Sequence, residues 1–240
     1  MTFLLIAPTS TTGPLRLDLH APDGFLSVGV SIALWALTIA VLALSVSRAG
    51  RSLDERAVPL MGVTAAFIFA AQMVNFPVLG GTSGHLLGGV LAAVLLGPWA
   101  GTLVMACVVA VQALVFQDGG LLVLGANIFN MGIVGTLGGF YLYVALCRVL
   151  GGEERVRVPA AAIAAWTALV LGALAMALQL AASGTSPLEV SLVAMLGTHA
   201  LIGIGEALIT VGAVSLLATV RPDLLRLRAP SRRLPGPQGA

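Results

Sequence analysis

From Phe25 to Thr219 the chain is a succession of apolar runs, broken only by short segments rich in Gly, Pro or Arg. A helix needs about 20 mostly apolar residues to cover roughly 30 Å of hydrocarbon. Backbone amides cannot be left unpaired in lipid, so such runs must be helices or the strands of a closed barrel. Period-2 alternation is absent, and helices are expected near 25–47, 57–78, 85–97, 100–116, 121–147, 159–182 and 190–219. Only 9% of residues are charged, against about 25% in an ordinary soluble domain. The fold class expected is therefore an all-α polytopic membrane protein of about seven transmembrane helices.

The third run is short. As a helix, 85–97 reaches only about 20 Å, and Gly97-Pro98 ends it before the next run begins. It is either a span of its own or one arm of a re-entrant hairpin with 100–116, and the residues leave both open.

Arginine placement predicts the orientation. Arg48, Arg51 and Arg56 share one connection, Arg148, Arg155 and Arg157 another, and Arg221, Arg226, Arg228, Arg232 and Arg233 the tail. Of the remaining connections, 79–84, 117–120 and 183–189 hold no arginine. The positive-inside rule then makes the Arg side cytoplasmic, with the N-terminus outside and the C-terminus inside. Three regions follow: an N-terminal extension over 1–18, a transmembrane domain over 19–220, and a Pro- and Arg-rich tail over 221–240 with no apolar period and no expected structure. The formal net charge of +2 offers no basic face for nucleic acid. Cys107 and Cys147 both lie in apolar runs and make neither a disulfide framework nor a C-x-x-C metal site.

Polar groups at bilayer depth mark sites, pathways or packing contacts. The chain has three histidines. His20 precedes the first span and His85 opens the third after Gly80-Gly-Thr-Ser-Gly84, so both fall on the outer face. Neutral imidazole is the commonest transition-metal ligand, and the glycines before His85 permit irregular backbone beside a ligand. His199 and Glu206 are seven apart, about 10.5 Å along one helix face. They read as interhelical hydrogen-bond anchors, or as a proton relay or second metal site, with anchors favoured because Glu206 is the only carboxylate deep in a span. Gln72, Asn75, Gln112, Asn127 and Asn130 place amides within spans, as interhelical glue or as groups orienting His85. Ala33, Ala36, Ala40 and Ala43 stripe the first span, and Gly132, Gly135 and Gly138 the fifth; both read first as close internal packing. No Walker A, HExxH, GxSxG or dinucleotide-binding signature is present, so no ATPase or hydrolase chemistry is expected of this chain.

Several blocks together carry a family resemblance. They are His20-Ala-Pro-Asp-Gly-Phe-Leu-Ser27, Ala66-Phe-Ile-Phe-Ala-Ala-Gln-Met-Val-Asn-Phe-Pro77, Gly80-Gly-Thr-Ser-Gly-His-Leu-Leu-Gly88 and Leu95-Leu-Gly-Pro-Trp99. Gln117-Asp-Gly-Gly120, Gly125-Ala-Asn-Ile-Phe-Asn-Met-Gly132 and His199-Ala-Leu-Ile-Gly-Ile-Gly-Glu-Ala-Leu-Ile-Thr210 extend them. Over residues 19–222 the chain resembles the CbiM/NikM family, the substrate-binding S components of energy-coupling-factor importers for cobalt and nickel.

The resemblance implies seven helices, an outside N-terminus and a metal site near the outer surface. In that family a terminal amine, the amide and imidazole nitrogens of the next His, and a second imidazole chelate one ion. The imidazoles map onto His20 and His85, and the amine onto Leu19. Four nitrogens of this kind suit Ni(II) and, with somewhat lower affinity, Co(II). Leu19 is not an initiator Met and is preceded by eighteen residues; the expectation is that translation starts at Leu19, with cleavage after Asp18 as the alternative. Ser83, Gln72, Asn75, Asn127 and Asn130 are candidates for the surrounding shell, and Ala36 and Ala40 for docking a partner. The implied partners are a transmembrane coupling subunit, two cytoplasmic ATPases and a small accessory membrane subunit. Co2+ or Ni2+ is then the transported substrate, with cobalt for cobalamin synthesis favoured by family prevalence and nickel for urease or hydrogenase as the alternative. A self-sufficient channel or secondary transporter using Glu206, and an intramembrane metalloenzyme, are the readings from other classes.

Overall fold

A computed structural model describes residues 20–51, 57–73, 76–78 and 82–225. In chain order the elements are α1 (Val28–Gly50), α2 (Ala57–Gln72), an antiparallel hairpin of β1 (Phe76–Val78) and β2 (Thr82–Gly84), α3 (Gly89–Leu96) and α4 (Pro98–Val115). Then come α5 (Leu124–Val149), α6 (Glu153–Ala182) and α7 (Leu188–Val220). Helices α1, α4, α5, α6 and α7 are long and apolar enough to cross a membrane; α2 has 16 residues and α3 only 8.

Local chemistry sets the boundaries. Ser27 caps α1, its Oγ accepting the Val30 N–H at 3.4 Å. Helix α2 ends earlier than the apolar run 57–78, because Phe76-Pro77-Val78 is a strand paired with 82–84. Pro77 lacks an amide hydrogen and drives the residue before it towards extended backbone. Helix α6 starts six residues before the expected 159, with Pro159 inside it. Glu153 and Glu154 occupy its first turn, where carboxylates favour the positive end of the helix dipole. The first residues after α7 are structured although their composition gave no expectation of it: Pro222–Leu224 form a 3-10 turn and Leu225 is fully buried.

Helix α3 is about 12 Å long, and it folds straight back into α4 at Gly97, whose φ of +82° suits glycine. A Cβ on Gly101 would lie 3.0 Å from the backbone of Ala93, so the two helices touch main chain to main chain. The Arg48 guanidinium lies 5.6 Å from the Trp99 ring centroid, which puts the Gly97-Pro98 turn at the Arg-bearing end of α1. At the other end of α1 the loops gather: Gly120 N–H donates to Ala21 O, and Thr185 Oγ1 donates to Phe25 O.

Close approach is the general rule of the interior. In α6, Ala160, Ala161, Ala164, Ala165 and Ala168 are wholly buried, which lets α3 and α5 pack directly on its backbone. Trp166 rests over Gly203 of α7, where a Cβ would lie 2.7 Å from its ring, and its Nε1 donates to Ala200 O. Trp35 of α1 covers Gly125 in the same way. The buried residues of α1 are Ser31, Thr38, Ser45 and, at its C-terminal end, Ala49, with Thr38 Oγ1 donating to Gly125 O at 2.8 Å. The stripe of Ala33, Ala36, Ala40 and Ala43 faces away from the protein, contrary to the expectation of internal packing. A hydroxyl with a backbone partner is as compatible with a helix contact as a methyl, and here the hydroxyls took the inside. Within α5, Phe129–Gly138 is wound as a π-helix, which rotates the inward face. Gly135 and Gly139 therefore meet Leu87 and Val90, while Gly138 meets nothing.

Candidate metal centre

His20 enters the site on a segment held by two side chains. Asn127 Oδ1 accepts the Ala21 N–H at 2.9 Å, and its Nδ2 donates to Ala21 O at 3.1 Å. Asp23 accepts from the amides of Leu121, Leu122 and Val123 at 2.8–3.3 Å. The segment from His20 to Asp23 is thus stapled at both ends, to α5 itself by Asn127 and to the loop before α5 by Asp23. Gly119 and Gly120 leave room for it: a Cβ at 119 would lie 3.4 Å from His20 Nδ1, and one at 120 would overlap Asp23.

His85 follows directly on β2, and Ser83 in that strand is paired by register with Pro77. The His85 Nδ1 is 2.8 Å from Leu86 O. A carbonyl only accepts, so Nδ1 carries the hydrogen and Nε2 presents its lone pair. Beyond His85, Glu206 Oε2 and Oε1 accept the amides of Leu87 and Gly88 at 2.8 and 3.0 Å. Gln72 Nε2 donates to Leu87 O at 2.7 Å and is itself backed by Gln112, whose Nε2 donates to Gln72 Oε1.

The two rings meet. Their centroids are 4.8 Å apart with planes inclined at 45°, and both residues are buried. His20 Nδ1, His20 Nε2 and His85 Nε2 have no hydrogen-bond partner. Buried polar atoms are nearly always paired, and here His85 Nε2 and one nitrogen of a neutral His20 each carry a lone pair that an electron-pair acceptor could take. The spacing admits a metal ion. With metal–nitrogen bonds of about 2.0–2.1 Å, two imidazoles at about 90–110° on one ion place their centroids about 4.5–5.2 Å apart. Burial, with repulsion from His85 second, holds the His20 imidazole well below its usual pKa. It is therefore neutral, the form that ligates metal.

The other candidates are dispersed. Asn127 touches the His20 segment and Gln72 the His85 segment. Asn130 instead forms a reciprocal amide pair with Gln179 of α6, at 3.0 and 2.6 Å. His199 bonds its own helix through Nδ1 to Met195 O at 2.8 Å. Ala36 and Ala40 are exposed on α1. Leu19, Asn75 and the segments 1–18 and 226–240 lie outside the described residues. The sequence reading gave no partner to Glu206 and passed over Gln179 and Asp23 as structural groups. Asp23 had one signal available, since an Asp before a Gly marks a turn in which a short carboxylate bonds backbone amides.

Comparison with known proteins adds the context. The CbiM family, described as the cobalt uptake substrate-specific transmembrane region, matches residues 20–224. A putative fused nickel transport protein NikMN of Archaeoglobus fulgidus is 42% identical over 90% of this chain and 71% of its own length. A cobalt transport protein CbiM of Sorangium cellulosum is 35% identical over 91% of this chain and 99% of its own. The crystal structure of a truncated transition metal transporter superposes with a TM-score of 0.76 at 33% identity, covering 83% of this chain and 98% of that one.

Proposed function

This chain belongs to the CbiM family as a multi-pass membrane component of cobalt and nickel transport, and we propose that it is the ion-capturing S component of an energy-coupling-factor importer. It takes Co(II) or Ni(II) on the outer side, at His20 and His85, and releases it inwards when a coupling subunit and two cytoplasmic ATPases act. The observation that carries this reading is the approach of two buried imidazoles that leave three ring nitrogens without a hydrogen-bond partner.

The chain crosses the membrane seven times in this reading. The third crossing is the irregular segment 85–88 followed by α3, from the histidine end to the Trp99 turn beside Arg48. That traverse favours a full crossing over a re-entrant arm. The arginines put the Trp99 end in the cytoplasm and the histidines outside. The exposed Ala36 and Ala40 face of α1 is where the coupling subunit docks, and a small accessory membrane subunit completes the assembly. Leu19 supplies an amine ligand when it is the first residue of the mature chain, which intact mass of the purified protein reads directly.

The channel or secondary-transporter reading needs Glu206 free to bind or carry a cation, whereas both its oxygens are occupied by backbone amides. The test is calorimetric titration of the purified chain with Ni(II) and with Co(II). One ion should bind, and H20A and H85A should each abolish binding in the micromolar range or tighter. Binding retained by both variants overturns the site.

A further inference from the structure

Glu206 lies on α7 and touches neither histidine, yet it is joined to His85 through one rigid unit. Leu86 O accepts the His85 Nδ1 hydrogen at 2.8 Å, and Leu87 N–H donates to Glu206 Oε2 at 2.8 Å. That carbonyl and that amide are the two ends of a single peptide group, which is planar and does not twist. The second carboxylate oxygen holds the next amide, Gly88, at 3.0 Å. Gly88 has φ +75°, and a Cβ there would meet Ile68 at 2.9 Å, so the two amides are turned towards one carboxylate at a position only glycine fits. From the opposite side Gln72 holds Leu87 O.

We propose that Glu206 is a positioning residue for the metal centre, acting through the Leu86–Leu87 peptide to fix the direction and donor strength of His85 Nε2. Ligating histidines generally give their second N–H to a carboxylate or carbonyl, which sets ring orientation and raises basicity. Here the two partners are in series, carboxylate to amide and carbonyl to imidazole. Hydrogen bonds in a chain polarise one another: a carboxylate on the amide makes the carbonyl a better acceptor, which in turn makes Nε2 a better donor to a cation. The inference rests on the reading of His20 and His85 as ligands of one ion.

The experiment uses the full chain in detergent, with Ni(II) titration for affinity and Cu(II) electron paramagnetic resonance for the ligand field. E206Q keeps the shape but places an NH2 against one of the two amides. It should weaken Ni(II) binding roughly 10- to 100-fold and change the nitrogen couplings of bound Cu(II). A purely structural role would lower the thermal midpoint and leave the Cu(II) spectrum of the folded molecules unaltered; Y143F, at the far end of the bundle, is the control for that behaviour. Wild-type affinity and spectrum in folded E206Q overturn the proposal. Should E206Q not fold, E206D draws the carboxylate back from the Leu87 amide while keeping its charge, and wild-type affinity and Cu(II) spectrum there overturn it equally. Failure of the underlying reading looks different, as H85A would then bind Ni(II) like the wild type.

Discussion

Asn127 grips Ala21 by both backbone groups at once, accepting its N–H at 2.9 Å and donating to its carbonyl at 3.1 Å. A side-chain amide supplies the acceptor and the donor that this grip needs. Aspartate has no donor for the carbonyl, and leucine has neither function. N127D is expected to weaken Ni(II) binding at least tenfold, because a carboxylate oxygen facing Ala21 O pushes the His20 segment away. N127L should do the same and also cost about 1–3 kcal/mol for the orphaned backbone groups. Titration and thermal unfolding of the two variants side by side check both effects.

The metal-free chain should lose stability in mild acid because of His20. Its folded pKa lies below the unfolded value of about 6.5. Below that pH the unfolded chain binds a proton that the folded one refuses, so stability falls as pH drops and is flat above. The thermal midpoint of the metal-free protein, followed from pH 8 to pH 5, should decline below about 6.5, and H20A should remove most of that decline. A wild-type curve that stays level across the range contradicts the burial argument.

Gly119 is the position where a single methyl should damage the site without touching the helices. Its φ is +101°, and an added Cβ would lie 3.0 Å from Asn127 Nδ2 and 3.4 Å from His20 Nδ1. G119A is expected to keep wild-type helix content by circular dichroism while binding Ni(II) at least tenfold more weakly. Equal affinity would mean that the loop yields at no cost.

The Asn130–Gln179 pair separates interhelical adhesion from metal binding. Removing one partner strands a buried amide, so N130L should destabilise the protein by about 1–2 kcal/mol. The double variant N130L/Q179L should recover part of that loss, since apolar groups in both places leave no orphan. Ni(II) affinity is expected to stay within a factor of three throughout. A large drop in affinity would place this pair in the shell around the ion.

How much of this was legible in the sequence depended on the range of the interaction. Helices such as α1 and α7 follow from apolar length alone, and their observed ends differ from the expected ones by only a few residues. His20 and His85 stood out because histidine is scarce in the chain and both flank spans. Their meeting is a long-range fact, but two residues at span ends expected on one side have few places to go. The early end of α2 and the early start of α6 were missed because Pro77 and Pro159 are local signals that tertiary context used in opposite ways, one ending a helix and the other tolerated within it. The partner of Glu206 was invisible for a different reason: it is two backbone amides, and backbone amides have no letter in the sequence. The same holds for Asp23 and its three amides. The outward turn of the α1 alanines came from Thr38 finding a carbonyl on α5, a choice that residue size alone does not reveal.

One consequence of the buried alanines in α6 is mechanical. Methyl groups are small and do not interlock, so the alanine seam that α6 makes with α3 and α5 fixes how closely those helices approach but not their register. Register against α7 comes instead from Trp166, seated in the notch at Gly203 and bonded to Ala200 O, which fixes the height of the carboxylate that reaches across to the histidine loop.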